Sequence, residues 1–239
     1  MKSKGNTLQP LGKALTHWLA PNLPVLAGMQ GRYCLLVPLN PIVHAADLFA
    51  ANAEDAEGKM WTYLPYGPFF SLADYTHWLN QACMGKDPLF YAIVDNTSRK
   101  AIGLASYLRI DAANGVIEVG HLAYSPQLQR TTAATEAMYL MMAHAFGLGY
   151  RRYEWKCNAL NAPSCIAATR LGFKFEGIFR QAAVVKGHNR DTAWYSIIDT
   201  EWPALKQAFE TWLDPVNADA AGRQLVSLSS LTAALNSKS

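Results

Sequence analysis

Hydrophobic and polar positions alternate along the chain with two different periods. Over residues 41–53, apolar Ile42, Ala45, Leu48 and Phe49 recur at helical spacing, and over 71–84 Leu72, Tyr75, Trp78 and Leu79 form a second stripe behind Ser71, a plausible N-cap. Elsewhere the period shortens. The runs 33–39, 89–94, 101–109 and 116–124 are short and apolar or alternating, the last three separated by Asp95-Asn96 and Asn114-Gly115, and they predict strands. A long helix is expected over 132–146, closed by Gly147 and Gly149. Then follow a strand at 152–157, a helix at 162–171 stopped by Gly172, a hairpin of 177–186 with 193–199, and a last helix at 202–212. The order βααβββαβαββα predicts an α/β (α+β) fold, one mixed sheet with helices on its faces.

This pattern divides the chain into an N-terminal extension (1–30, with Pro10, Pro21 and Pro24), a main domain (31–213) and a C-terminal tail (214–239). In the tail, Leu225, Leu228, Leu231 and Leu235 fall at helical spacing and predict a short docked or partner-facing helix. A formal charge of +3, with Lys+Arg 21 against Asp+Glu 18 and no basic run beyond Arg151-Arg152, argues against nucleic acid as a partner. No apolar stretch approaches the ~18 residues that span a bilayer, and no apolar core follows the first lysines, so neither a membrane partner nor export is expected and the protein is placed in the cytoplasm. Cys34, Cys83, Cys157 and Cys165 lie apart without zinc-ligand spacing, which predicts buried free thiols and no metal.

Two strand-to-helix junctions carry candidate chemistry. Between Ser125 and Ala137 the chain enters the longest helix, whose first turn offers unpaired N–H groups and the positive end of the dipole. Arg130 adds charge, Thr131, Thr132 and Thr135 add hydroxyls, and small Ala133 and Ala134 allow close approach, as an anion site requires. The same residues also read as an ordinary capped helix. At the second junction Asn161 fits an N-cap, Pro163 the first turn, and Ser164 is either a helix-start residue or a hydroxyl aimed at a ligand. A cluster of Trp61, Tyr63, Tyr66, Phe69 and Phe70 is either packing or a pocket wall.

The ordered set Gln129-x-x-x-x-Ala134-Thr-Glu-Ala137, Asn161-x-x-Ser164, Arg170-Leu-Gly-Phe173, Glu176-Gly177, Arg180 and Asn189-Arg190-Asp191 resembles the GCN5-related N-acetyltransferases, and within them the RimJ/RimL-type branch. The resemblance spans about residues 32–200. It implies a mostly antiparallel sheet of about seven strands with a V-shaped cleft between the fourth and fifth, and acetyl-CoA as cosubstrate. Backbone groups of Leu122 and Tyr124 would pair with the pantetheine arm. N–H groups from Gln129 to Ala134 would meet the pyrophosphate, Asn161 would touch the pantetheine region, and Ser164 would protonate the leaving thiolate. Near Leu122 a strand bulge would supply the oxyanion donor. Thr132 stands where the family usually has glycine, a costly choice if that position needs a positive φ.

An amine acceptor, small molecule or protein N-terminus, must also lose a proton. Glu118 is the candidate base, on the expectation that strand alternation puts it on the side of Gly120 and Leu122; His121 is the rival. A non-catalytic acyl-CoA sensor is the competing function. Nothing in the sequence fixes the oligomeric state.

Overall fold

The computed structural model describes residues 9–220 and 222–236. Eight strands form one sheet in the order β1-β2-β3-β4-β5-β6-β8-β7. They are β1 Met29–Gln30, β2 Cys34–Pro38, β3 Leu89–Asp95, β4 Ala101–Asp111, β5 Val116–Tyr124, β6 Arg152–Asn158, β7 Lys174–Val185 and β8 His188–Ile198. The eighth strand, beyond the seven anticipated, is β1, the last piece of the N-terminal extension, which pairs antiparallel with β2. The cleft expected between the fourth and fifth strands therefore lies between β5 and β6. Among the described residues only that pair is parallel.

Helices α1 (Pro41–Asn52) and α2 (Leu72–Ala82) cover one face at the β2–β4 end. On the other face lie α3 (Thr132–Gly147), α4 (Ala162–Arg170), α5 (Trp202–Leu213) and α6 (Leu228–Asn236). Alternation along β3 fits this double cover: Leu89, Tyr91 and Ile93 enter the core under α3, while Phe90, Ala92 and Val94 enter the core under α1 and α2. Met138, Met141 and Met142 of α3 are buried core. Leu228 of α6 is buried, Leu231 and Leu235 pack beside it, and Thr232 donates to the carbonyl of Arg170, so this helix holds the end of α4. Leu225 lies outside that contact and is exposed.

The N-terminal strands are tied to α3 by one carboxylate. Glu136, buried in α3, accepts from the amides of Arg32 (2.8 Å), Tyr33 (2.7 Å) and Cys34 (2.9 Å). A side chain at Gly31 would run into that carboxylate, so the turn needs glycine for space rather than for dihedral freedom. Glu136→Gln keeps the shape but replaces one accepting oxygen by an amide donor, which then faces one or two of the three N–H groups. We expect it to destabilise the fold by about 2–4 kcal/mol, read as a lowered urea midpoint with unchanged slope.

Candidate functional site

β5 and β6 run side by side only from Val116/Arg152 to Val119/Trp155. Beyond that point β6 stays with β8, through Cys157 opposite Ala193 and Asn158 opposite Thr192, while β5 stays with β4. A wedge opens between them, and at its wide end β5 leads into α3 and β6 into α4. The departure coincides with a bulge. On β4, Leu104 to Ser106 advances two residues, whereas their partners on β5, Ala123 and Gly120, are three apart, and His121 adopts φ +51°.

That extra residue changes which way the strand faces. Ile117 and Val119 point into the core under α3, and after the bulge so do Leu122 and Tyr124, while Ala123 and His121 meet the α1/α2 side. The expectation that Glu118 and Leu122 share one side is therefore corrected: Glu118 sits opposite Leu122, because one inserted residue inverts the alternation. The amide of Ser125 bonds to Ile102 on β4 (3.3 Å) and Ala123 pairs with Leu104, so the backbone groups of Leu122 and Tyr124 point away from β4 and into the wedge. Gln129 ties down the Tyr124 carbonyl with its side-chain amide (2.8 Å).

At the first junction the left-handed residue is Arg130 (φ +62°), not Thr132, which lies in the first turn of α3. A β-branched residue is thus no strain at position 132. Thr131 is the N-cap, accepting from Ala134 N (3.1 Å) and donating to Leu128 O (2.7 Å). Gln129 N bonds to Ser125 O (3.0 Å). The set of amides free for an anion is therefore narrower than the run from Gln129 to Ala134: those of Arg130, Thr132 and Ala133 have no partner among the described residues, and the Arg130 side chain is exposed beside them. Thr135 does not belong to this opening. It is buried against α4, where Arg170 donates to its hydroxyl (3.1 Å).

Across the wedge, Asn161 caps α4 by accepting from Ser164 N (3.2 Å). The Ser164 hydroxyl accepts from the Trp155 indole (3.0 Å), which fixes its oxygen at the start of the helix. Beneath it Cys157 and Cys165 are free thiols with sulfurs 3.7 Å apart. Burial pushes the Cys157 thiol up to about 11, against which a hydrogen bond from Ser164 works in the opposite direction.

The sheet face opposite α3 carries a row of alternating charges that the sequence reading did not identify, although Arg152, Glu154 and Lys156 at period two were its visible signal. Glu176 pairs with Arg152 (2.5 Å), Arg152 with Glu154 (2.6 Å), Glu154 with Lys156 (2.7 Å), Lys156 with Glu118 (2.9 Å) and Glu118 with Arg109 (2.7 Å). Lys156 also stacks on the Trp194 ring, 3.7 Å away. Glu118 is 3% exposed, so it is no solvated strand carboxylate. Its Oε2 has the Lys156 ammonium beside it but no donor aligned on it, and so keeps a lone pair for a further donor.

His121 borders this face, packed between Tyr66 (ring centroids 5.7 Å) and Phe90 (5.1 Å). Of the aromatic cluster, Trp61, Tyr66 and Phe69 are core packing that supplies a wall at the bulge, whereas Phe70 is exposed. Over the wide end, the connector between α1 and α2 reaches both sides: Tyr63 donates to Leu160 O (3.0 Å), and Lys186, at the β7–β8 tip, donates to Trp61 O (2.8 Å). No group of His, Cys, Asp and Glu among the described residues is placed to hold a metal ion, and no described helix is long and apolar enough to cross a membrane.

Desolvation, with smaller contributions from Arg109 and Arg190, lowers the His121 imidazole to about 4. Its fold-stabilising neutral form is complete above the ordinary value near 6.5 and is lost as pH falls towards 4, where the unfolded chain takes up a proton that the folded one refuses. His121→Asn, which tolerates the left-handed backbone, should flatten that part of the stability profile. Urea midpoints measured from pH 7 to pH 4.5 on both proteins will give the difference.

The comparisons agree with this geometry. Residues 34–174 match the model of the acetyltransferase (GNAT) domain. A GCN5-related N-acetyltransferase from Brucella melitensis is 47% identical, with TM-score 0.89 over 92% of this chain and 100% of that one. A probable acetyltransferase of the GNAT family from Chromobacterium violaceum is 41% identical, with TM-score 0.76 over 82% of this chain and 98% of that one. The uncharacterized N-acetyltransferase p20 of Bacillus licheniformis is 24% identical over 163 residues, 66% of this chain and 89% of its own. With its wedge between two diverging parallel strands and a bulge on the first of them, the chain belongs to the GNAT acetyltransferase family.

Proposed function

We propose that the protein moves an acetyl group from acetyl-CoA to a primary amine by direct attack, without a covalent enzyme intermediate. The observation that carries this reading is the wedge itself, where backbone groups of Leu122 and Tyr124 are turned away from β4 beside the free amides at the start of α3. An extended amide-bearing arm fits the first set of groups by strand-like pairing, and a pyrophosphate fits the second together with Arg130. Bound acetyl-CoA supplies a thioester carbonyl carbon for the amine to attack and a thiolate to leave.

The chain's own residues would serve that exchange as follows. Leu122 N, at the bulge, donates to the oxygen on which negative charge grows. Ser164, its oxygen already fixed by Trp155, aims its hydroxyl proton at the departing sulfur. Glu118 Oε2 accepts the proton released by the nitrogen, through a water, once carbon–nitrogen bonding acidifies that nitrogen. His121, neutral at pH 7, is the second acceptor on the same face. Asn161 holds the α4 start that carries Ser164. The finer assignment to the RimJ/RimL-type branch rests on the ordered sequence motifs, and a protein N-terminus remains one class of acceptor under it.

Acetyl-CoA at one hundred times its Kd should add about 2.7 kcal/mol to stability, seen as a raised Tm, while NAD or ATP at the same concentration adds less. Absence of the shift would remove both the enzyme and the sensor reading, and thiol release above hydrolysis with an amine separates those two. Ser164→Ala should lower kcat by roughly ten- to a thousandfold with acetyl-CoA binding nearly unchanged. It should also destabilise the fold by about 1–3 kcal/mol, because the Trp155 indole loses its acceptor. Normal turnover in this variant would make Ser164 a structural residue.

A further inference from the structure

The row of charges from Glu176 to Arg109 balances itself, three carboxylates against three cations. Arg190 is not part of it. This residue lies on β8 just before Thr192, the partner of the last residue of β6, and so stands at the wide end of the wedge. The nearest carboxylate in sequence, Asp191, is engaged elsewhere, accepting from Gln181 N (2.7 Å) and from Asn189 (2.9 Å). No carboxylate pairs with Arg190 among the described residues, and its Nε is buried without a hydrogen-bond partner. Burial lowers its guanidinium, with the Arg109 charge adding to the effect and the Glu118 carboxylate opposing it in smaller measure. Arg109 commits only Nη1 to Glu118, and its side chain is 62% exposed, which leaves donors facing outward. Two guanidinium groups therefore stand at the reaction site with more positive charge and more donors than the chain satisfies. A half-buried cation with a buried, unpartnered Nε carries a cost, and an anion brought by a ligand relieves it.

Resting on the acetyltransferase reading above, we propose that the acceptor is a small amine carrying an anionic group, a carboxylate or a phosphate, which Arg190 and Arg109 hold while the amine faces the bulge at His121–Leu122. Small size follows from the connector that closes over the wide end through Tyr63 and Lys186. The same positive excess disfavours an ammonium and so helps present the nitrogen unprotonated.

The test uses the full chain and begins with its Tm in acetyl-CoA, which judges the acetyltransferase reading by itself. Thiol release is then measured with β-alanine, 4-aminobutyrate and an aminoalkyl phosphate, each beside its neutral amide or alcohol counterpart. The expected result is a kcat/KM at least about 30-fold higher for anionic than for neutral members, carboxylate and phosphate arms telling the two sources apart. Arg190→Gln should erase most of that preference through KM, Arg190→Lys should restore part of it, and both should keep the wild-type shift in acetyl-CoA. Equal use of neutral amines, or no turnover of any anionic amine by a protein that binds acetyl-CoA, overturns the proposal. So does an Arg190→Gln variant that loses the acetyl-CoA shift but keeps the preference, which would assign Arg190 to a cofactor phosphate.

Discussion

A backbone that leaves its neighbour must find new partners for its amides and carbonyls or leave them open, and that constraint governs this molecule at Val119/Trp155. β6 resolves it by staying with β8. β5 keeps β4 on one edge and presents the other to the wedge, with a bulge absorbing the change of direction. The unpaired edge is what a ligand with amide groups can complete, and the two helices that follow the strands bring their N-termini to the same opening. Binding potential here is a deficit of hydrogen bonds, located by topology.

The charged face solves a second problem created by the same divergence. α1 and α2 cover the sheet only at the β2–β4 end, so the remaining strands have one face without a helix. A row of alternating charges, with Lys156 9% and Glu118 3% exposed, fills that surface and keeps each buried ion beside its opposite. Such a row fixes side-chain positions more than it adds stability, which suits a surface that must hold a carboxylate near a bulge.

Much of this was legible in the sequence because it depends on local period. The helices at 41–53 and 132–146, the strands at 89–94 and 116–124, and the capping roles of Ser71 and Asn161 are nearest-neighbour physics. Features that span distant segments were not. The inserted residue at His121 leaves no composition signal, since a histidine rather than a glycine takes the positive φ, and it reversed the side assigned to Leu122 relative to Glu118. Thr135 read as a phosphate donor because it is one turn into α3, but Arg170 of another helix claims it. The closure through Tyr63 and Lys186 joins loops about 100 residues apart or more, and no local pattern records that.

The Glu136 clamp has a consequence for synthesis. Its three amide partners precede it by 102 to 104 residues. At about 5–20 residues per second, β1 and β2 leave the ribosome roughly 5–20 seconds before the carboxylate that anchors them. During that interval the turn at Gly31–Cys34 can form no native bond to α3. The edge of the sheet that is made first therefore waits for the middle of the chain before it is secured, and the N-terminal strands spend the early life of the chain as unprotected edge.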